Sequence, residues 1–591
     1  MNFTEIRTQL LKKGYVKEYE DLIQYMKNPY SMLDDNTEKV LTEFGYIHFA
    51  DRIRKLFDNS REKYRDSIAV GQVILWEKYL NAYNELTNTK KIIDNIDPVV
   101  YRTNYKKATE QVFRVLKEYS NAKAAITKLE NELGVDRYLD HVSEEEFEFL
   151  VSEFNSLHRI VEGKLKTYKI LFTENWNTSN IYNILIHRMI RSNMNNQVCS
   201  MFSTGKDKTI LFIIDGFGMV QYFWSEQVVP LNKNYSYSEN IFEWLSRNSL
   251  SDEYILGAPF ITDTAAGISQ IFIGKTSKDT RIFSSTVKKE GNPGVIGVKS
   301  EYQSDFMKIV NTEYNSFTVD IASQFEEMKI YYCSRYDSDH VSGFSKYVFD
   351  SADVRSIIPS ERVFSFLKED MSLKKTGVTV TYITNIDNSG HVMGSFSQFE
   401  RYEHEKINML LKNFLVDLAK SQQEAFDGKT SILLTADHGM TESYKINISR
   451  KNIMDVIHGI HEHAGKIIEA NRALFIYDVT SGGIEKSKGA LKKYFEEKNI
   501  DALVLSKEDE LFDEFMPDET STYMNTTPDI SISLISEGIF YSKDVKENLM
   551  HFGGHGGHSV DEVFVPAINI ELNEELLHAI RSRFIKNNWG D

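Results

Sequence analysis

Thr209–Gly218 reads TILFIIDGFG, an apolar run that ends in Asp and Gly. A buried parallel strand of this kind delivers a carboxylate to the carboxyl edge of an open α/β sheet, where such sheets bind their ligands. Asp215 is therefore the first candidate functional residue. An Asp-Gly pair alone also makes ordinary turns, but here the design recurs. Thr379–His391 (TVTYITNIDNSGH) and Ser431–Met440 (SILLTADHGM) are again apolar strands running into residues of metal-ligand type, and Phe552–Pro566 (FGGHGGHSVDEVFVP) sets histidines among glycines.

Outward from these stretches, strand and helix patterns alternate from about residue 206 onward, which predicts a mostly parallel sheet sandwiched by helices. The expected strands are Thr209–Ile214, Lys329–Cys333, Thr379–Thr384 and Ser431–Thr435, with Ala473–Tyr477 further on. A strong helix is expected from Gln398 to Ala419, with Ile407, Leu410, Leu411, Phe414 and Leu418 on its apolar face. Segments near 280–320 and 440–550 interrupt the alternation and are expected to be insertions that cap the sheet edge. Residues 1–204 have little glycine and a helical period: Val112, Leu116, Tyr119, Ile126 and Leu133 share a seam, and Ser143 with Glu146 forms a capping-box pattern. Lys123 and Glu130 break that seam, which argues against a long coiled coil. The expected organisation is an all-α domain over 1–204, an α/β domain over 205–570 and a short helical tail over 571–591.

The chain of 591 residues is long enough for two or three cores, and 41% hydrophobic with 26% charged residues is the balance of an ordinary globular protein. A formal net charge of −17 argues against nonspecific binding of long nucleic acid or anionic membrane. Two cysteines, Cys199 and Cys333, make neither a disulfide framework nor a thiolate metal site. No apolar run reaches spanning length, and the start MNFTEIRTQLLKKGY mixes charges where a signal peptide needs an apolar core. The expectation is a cytoplasmic protein without a membrane partner.

The polar residues at the strand ends are Asp215, Asp387, His391, Asp437 and His438, joined by His555 or His558. Carboxylates and imidazoles in this mixture suit zinc or manganese, and six groups exceed the needs of one tetrahedral ion. Two ions about 4 Å apart are a standard device for displacement at phosphorus. A nucleophile is then required, and Ala258–Lys275 (APFITDTAAGISQIFIGK) supplies Thr262 and Thr264 ahead of a helix-like run. A threonine at a helix N-terminus faces positive potential that also favours a phosphoryl group, although either threonine could instead be a cap. His458, His461 and His463 form a second dense cluster with no strand end beside it, so a solvated helix face is the expected account; His551 has no assigned role.

As a set and in this order, these motifs resemble the alkaline phosphatase superfamily of metal-dependent phosphatases, phosphodiesterases, sulfatases and cofactor-independent mutases. The likeness covers about 205–570 and implies the alkaline-phosphatase-like form of the fold. It also implies that Asp215, Thr264, Asp437 and His438 hold the ion that activates the threonine, while Asp387, His391 and His555 hold the other. Thr264 is preferred over Thr262 because the nucleotide pyrophosphatase/phosphodiesterase branch shows a similar T-x-T stretch with its second threonine as nucleophile and a glycine ten residues on, as Gly274 is here. That branch has an Asn three residues after the nucleophile, where this chain has Gly267. The stretch HGGHSVDEVFVP most resembles the close of the PglZ subgroup of phage-defence and signalling proteins.

The resemblance implies a two-metal phosphodiesterase or nucleotide pyrophosphatase working through a threonine phospho-enzyme, with a phosphate ester, nucleotide or oligonucleotide as substrate. The alternatives within enzymes are a phosphomonoesterase or a mutase relative. A sulfatase is disfavoured, because that branch uses a modified Cys or Ser and Cys199 precedes the first strand. The alternative outside enzymes is a defence-complex scaffold that docks protein partners through the helical N-terminal region.

Overall fold

The computed structural model describes residues 10, 13, 15, 17, 18, 21, 35–43, 104–135, 144–190, 197–226, 240–288, 295–297, 310–333, 343–357, 360–443, 447–460, 466–518, 526–541 and 553–585. The chain divides into two compact units, one of 1–95, 117–163 and 542–551, the other of 96–116, 164–541 and 552–591. In the first, the Tyr119 ring stacks on Phe154 and its hydroxyl meets His158 Nδ1 at 2.6 Å. Val112, Leu116 and Tyr119 of the expected seam are buried in the helix Tyr105–Val135. The side chains of Ile126 and Leu133, and the residue Ser143, lie outside the described residues.

The second unit is built on strands β1 (Lys208–Ile214), β2 (Asp252–Gly257), β3 (Glu327–Cys333), β4 (Asp353–Ser356), β5 (Gly377–Ile383), β6 (Thr430–Thr435), β7 (Lys466–Ala470), β8 (Ala473–Tyr477), β9 (Ala502–Ser506), β10 (Ile530–Leu534) and β11 (Phe564–Leu572). Seven of them form one sheet in the order β2-β11-β6-β1-β5-β3-β4. The run β6-β1-β5-β3-β4 is parallel, whereas β11 is antiparallel to both β2 and β6. Every residue of β1, β3, β5 and β6 is buried, as a sheet covered on both faces requires. Each large apolar side chain buried this way contributes about 1.5–3 kcal/mol. The fold is therefore the expected α/β class, a mostly parallel sheet flanked by helices.

Strands β2, β4 and β11 carry no expectation from the sequence. β4 is exposed and short, and β2 opens with exposed Asp252. β11 contains Pro566, which normally argues against an inner strand. The ladder with β6 begins at Ala567, so Pro566 pairs only across to Ile255 of β2. Ala473–Tyr477 is a strand, but not of the main sheet: as β8 it belongs to an antiparallel four-stranded sheet of order β7-β8-β10-β9. That sheet has its own core, including Leu474, Ile476, Leu491, Phe495, Ile530 and Ile532. The 440–550 insertion thus buries apolar surface independently, which is why its strand signal matches that of the main sheet.

Three helices matter for the site: α1 (Thr264–Ile273), α2 (Asn385–Met393) and α3 (Gln398–Ser421). α3 buries Ile407, Leu411, Phe414 and Leu418, with Leu410 half-buried. The sheet unit also takes in 164–204, which composition groups with the preceding helical residues. Arg188, fully buried, explains the attachment: its guanidinium donates to Ser431 Oγ of β6 at 3.0 Å and to Asn569 Oδ1 of β11.

The amino end of the sheet is closed by paired charge. Lys208 Nζ lies 3.1 Å from Glu327 Oε2, Lys329 Nζ 2.6 Å from Asp370 Oδ1, and Tyr331 donates to the same carboxylate at 2.5 Å. Gly377 opens β5 there at φ 138°, and a Cβ would lie 1.9 Å from the Glu327 carbonyl oxygen. Gly377→Ala is therefore expected to lower stability by more than about 2 kcal/mol. Gly489→Ala, in the helix Ile484–Glu497 where an added Cβ meets nothing within 4 Å, is expected to raise it by about 1 kcal/mol. Thermal melting of the two variants against the parent checks the opposite signs; equal shifts would contradict this packing.

Candidate active site

Register brings the motifs together. β1 pairs Ile214 with Ile383 of β5 and Ile213 with Thr435 of β6, so the three strands end level. Asp215 follows β1, Asp437 follows β6, and the chain after β5 turns straight into α2. There Asp387 and His391, four residues apart on a helix, share a face; His391 Nε2 lies 3.3 Å from Asp387 Oδ1. The polar residues after β5 thus lie not on a loop at the strand end but on a helix that begins at Asn385, and the helix is what pairs the two groups.

His555 Nε2 lies 3.6 Å from the same Asp387 Oδ1. On the other side, His438 Nε2 is 3.5 Å from Asp215 Oδ1 and 3.6 Å from Asp437 Oδ2. The His438 and His555 rings stack with centroids 3.9 Å apart. Two groups of ligand atoms result, each within 4.8 Å: Asp387 with His391 and His555, and Asp215 with Asp387 and His438. Asp387 belongs to both. Asp215, Asp387 and Asp437 are all buried, and three carboxylates in one buried site require positive charge opposite them.

Each histidine is locked by a backbone carbonyl. Gly553 O accepts from His391 Nδ1 at 3.0 Å, Gly439 O from His438 Nδ1 at 3.0 Å, and Thr262 O from His555 Nδ1 at 2.8 Å. Because a carbonyl only accepts, Nδ1 carries the proton in all three rings, and Nε2 is the atom that each ring turns inward, where it can serve a cation. Such an arrangement of imidazole nitrogens and carboxylate oxygens fits divalent cations of the borderline type. No pattern in the sequence marks these carbonyls.

Thr264 is the first residue of α1, and its Oγ1 lies 3.1 Å from His438 Nε2. The cap is Asp263, whose side chain accepts from Ala265 N at 2.8 Å, so neither threonine serves as one. Thr262 is fully buried, with its Oγ1 3.0 Å from Gly557 O and accepting from Gly556 N at 2.8 Å. Its hydroxyl is thus committed to the loop around His555, and Thr264 alone of the pair faces the carboxylates and imidazoles. Gly267 sits against Asp437: a Cβ there would meet Asp437 O at 2.6 Å and its Cβ at 2.7 Å. An Asn at this position would displace Asp437, which accounts for the departure from the T-x-T branch.

The rival histidines lie elsewhere. His558 is buried with its ring 5.0 Å from that of Phe260, and burial holds it well below the ordinary histidine range. His458 is exposed at the end of the helix Arg450–His458, while His461, His463 and His551 lie outside the described residues. One further group joins the carboxylates. Tyr382, on β5, donates to Asp215 Oδ2 at 2.5 Å and stands 3.4 Å from Asp437 Oδ2. Burial first, then the two carboxylates, push its phenol well above the usual tyrosine range, so it remains a donor. A lone aromatic ring in a stretch otherwise of Thr, Val and Ile, TVTYIT, is the sequence signal it leaves.

Residues 297–557 match the family Type I phosphodiesterase / nucleotide pyrophosphatase. That span includes Asp387, His391, Asp437, His438 and His555, while Asp215 and Thr264 precede it. No curated protein matches the chain. Among solved structures, murine ectonucleotide pyrophosphatase / phosphodiesterase 5 is similar at 14% identity and TM-score 0.45, over 61% of this chain and 87% of that one. An inactive form of the same murine protein in complex with AMP is similar at 14% identity and TM-score 0.44, over 61% and 88%. Phosphonoacetate hydrolase from Sinorhizobium meliloti 1021, in complex with phosphonoformate, is similar at 12% identity and TM-score 0.45, over 64% and 96%. Among the described residues no helix is long and apolar enough to cross a membrane.

Tyr382→Phe removes one hydroxyl without altering volume. Zinc affinity, measured by competition with a chromophoric chelator, is expected to fall about 10-fold or more. An unchanged affinity would show that the phenol does not hold the carboxylates in place.

Proposed function

We propose that this chain hydrolyses phosphodiester or pyrophosphate bonds, nucleotides being the substrate class, through a phosphothreonine formed on Thr264. The observation that carries the proposal is the placement of Thr264 Oγ1 at the start of α1, 3.1 Å from His438 Nε2 and beside the buried carboxylates. The match of residues 297–557 to the Type I phosphodiesterase / nucleotide pyrophosphatase family supports the diester or pyrophosphate class.

Asp215, Thr264, Asp437 and His438 would hold one divalent ion and Asp387, His391 and His555 a second; zinc or manganese there supplies counter-charge and Lewis-acid polarisation of phosphoryl oxygens. The chain's own groups do the positioning. The positive end of the α1 dipole favours an anionic phosphoryl group in front of Thr264. The locked imidazoles turn Nε2 inward, and Tyr382 keeps Asp215 oriented. Thr264 Oγ then gives up its proton and forms a bond to phosphorus as the bond to the alcohol or phosphate leaving group breaks, that oxygen taking up a proton; water hydrolyses the phosphothreonine, regenerating the hydroxyl and releasing the phosphate product. The HGGHSVDEVFVP stretch, similar to the PglZ close, supports a setting in bacterial phage defence or signalling, with protein partners docking through the helical residues before 205.

Turnover of bis(p-nitrophenyl) phosphate tests the proposal. Activity is expected to be lost on chelation, restored by zinc or manganese, and reduced about 10³-fold or more in Thr264→Ala. Full activity in Thr264→Ala would overturn the nucleophile. Faster turnover of p-nitrophenyl phosphate than of the diester would shift the assignment to a phosphomonoesterase or mutase relative.

A further inference from the structure

His555 comes last in the chain of the converging residues, after the 440–550 insertion, and among the described residues its loop makes no regular ladder beyond Gly553–Gly554 against Thr441–Glu442. What fixes that loop is a buried carboxylate, Glu562. Its Oε1 accepts from Gly557 N at 2.8 Å and lies 3.2 Å from Thr262 Oγ1, while its Oε2 accepts from Ser559 Oγ at 2.6 Å and from Ser559 N at 3.2 Å. The remaining partner is Arg472 Nε, 3.1 Å from Oε1. Both side chains are fully buried.

Arg472 comes from the insertion, at the turn between β7 and β8. The rest of its guanidinium donates to Gly538 O at 2.5 Å, Ser536 O at 3.1 Å and Leu534 O at 3.3 Å, all from the end of β10 and the residues after it. The backbones follow the same course: Arg472 N donates to His555 O at 3.3 Å, and His558 N to Leu534 O at 2.8 Å. The paired glycines after His555 permit this approach, since a Cβ on Gly556 would lie 2.8 Å from Ala470 O and one on Gly557 would lie 2.4 Å from Leu534 O.

We propose that Arg472 and Glu562 are positioning residues through which the inserted antiparallel sheet sets the placement of His555. The inference rests on the proposed reading of His555 as a metal ligand. Two links run from Glu562 to the imidazole: the Gly557 amide, two residues away, and the Thr262 hydroxyl, whose own backbone carbonyl accepts from His555 Nδ1 at 2.8 Å. A capping-box role for Glu562 at the single turn Val560–Val563 would account for the Ser559 bonds alone. It does not account for a guanidinium from a separate sheet, nor for the Thr262 and Gly557 contacts.

The test uses the full chain and the metal alone as probe. Zinc binding is titrated against a chromophoric chelator in the parent, Thr262→Val, Thr262→Ser and Glu562→Gln, with near-ultraviolet circular dichroism as the check on folding. The parent is expected to bind two ions. Thr262→Val, which keeps volume and charge, and Glu562→Gln are expected to retain one binding step and to weaken the other about 10–100-fold, and Thr262→Ser is expected to restore it. If Glu562→Gln does not fold because Arg472 is left buried without its carboxylate, Thr262→Val decides. A folded Thr262→Val protein that binds both ions as the parent does overturns the positioning role and leaves the proposed function standing. A parent that binds neither zinc nor, in the same titration, manganese overturns both.

Discussion

The structure depends on the level pairing of β1 between β5 and β6. Because Ile214 faces Ile383 and Ile213 faces Thr435, the polar residues that follow each strand emerge at one rim, and three buried carboxylates meet three imidazoles there. Burying like charges so close together is costly unless cations or hydrogen bonds offset it. At the amino end of the same sheet the offset is made by lysines, with Lys208 and Lys329 set against Glu327 and Asp370. At the carboxyl end no lysine faces the carboxylates among these contacts: Tyr382 donates to Asp215, and the imidazoles of His391, His438 and His555 turn Nε2 toward the same space. That difference separates a closed structural network from a site suited to ligands.

Much of this was legible in the sequence because it follows from strands. An apolar run places its following residue at the sheet edge whatever the tertiary detail, so Asp215, Asp437 and His438 could be read directly. The parallel α/β class could be read from the same alternation. What could not be read depends on backbone groups or on contacts between distant segments. The carbonyls of Gly553, Gly439 and Thr262 carry no side-chain signature. Contacts from distant segments also separate the paired candidates: the loop 556–562 occupies the Thr262 hydroxyl, and His558 packs against Phe260 while His555 Nε2 lies 3.6 Å from Asp387 Oδ1. Ala473–Tyr477 reads as a further strand because it is as apolar as a central one. It is in fact central, but to the insertion's own sheet.

The antiparallel sheet of the insertion is more than a cover over an edge. Its turn at Arg472 meets the loop that carries His555, and that loop in turn precedes β11, the strand between β2 and β6. Folding of the insertion and closing of the main sheet are thereby tied to the placement of one imidazole. The two glycines after His555 and the bulk-free Gly267 beside Asp437 show the same constraint, since at each the backbone of another segment stands where a Cβ would be.

Anomalous diffraction at the zinc edge, from crystals grown with the metal, tests the central claim most directly. Two peaks are expected at the rim of the sheet, one bounded by Asp215, Thr264, Asp437 and His438, the other by Asp387, His391 and His555. Peaks at His458, His461 and His463 with none beside Thr264 would contradict it.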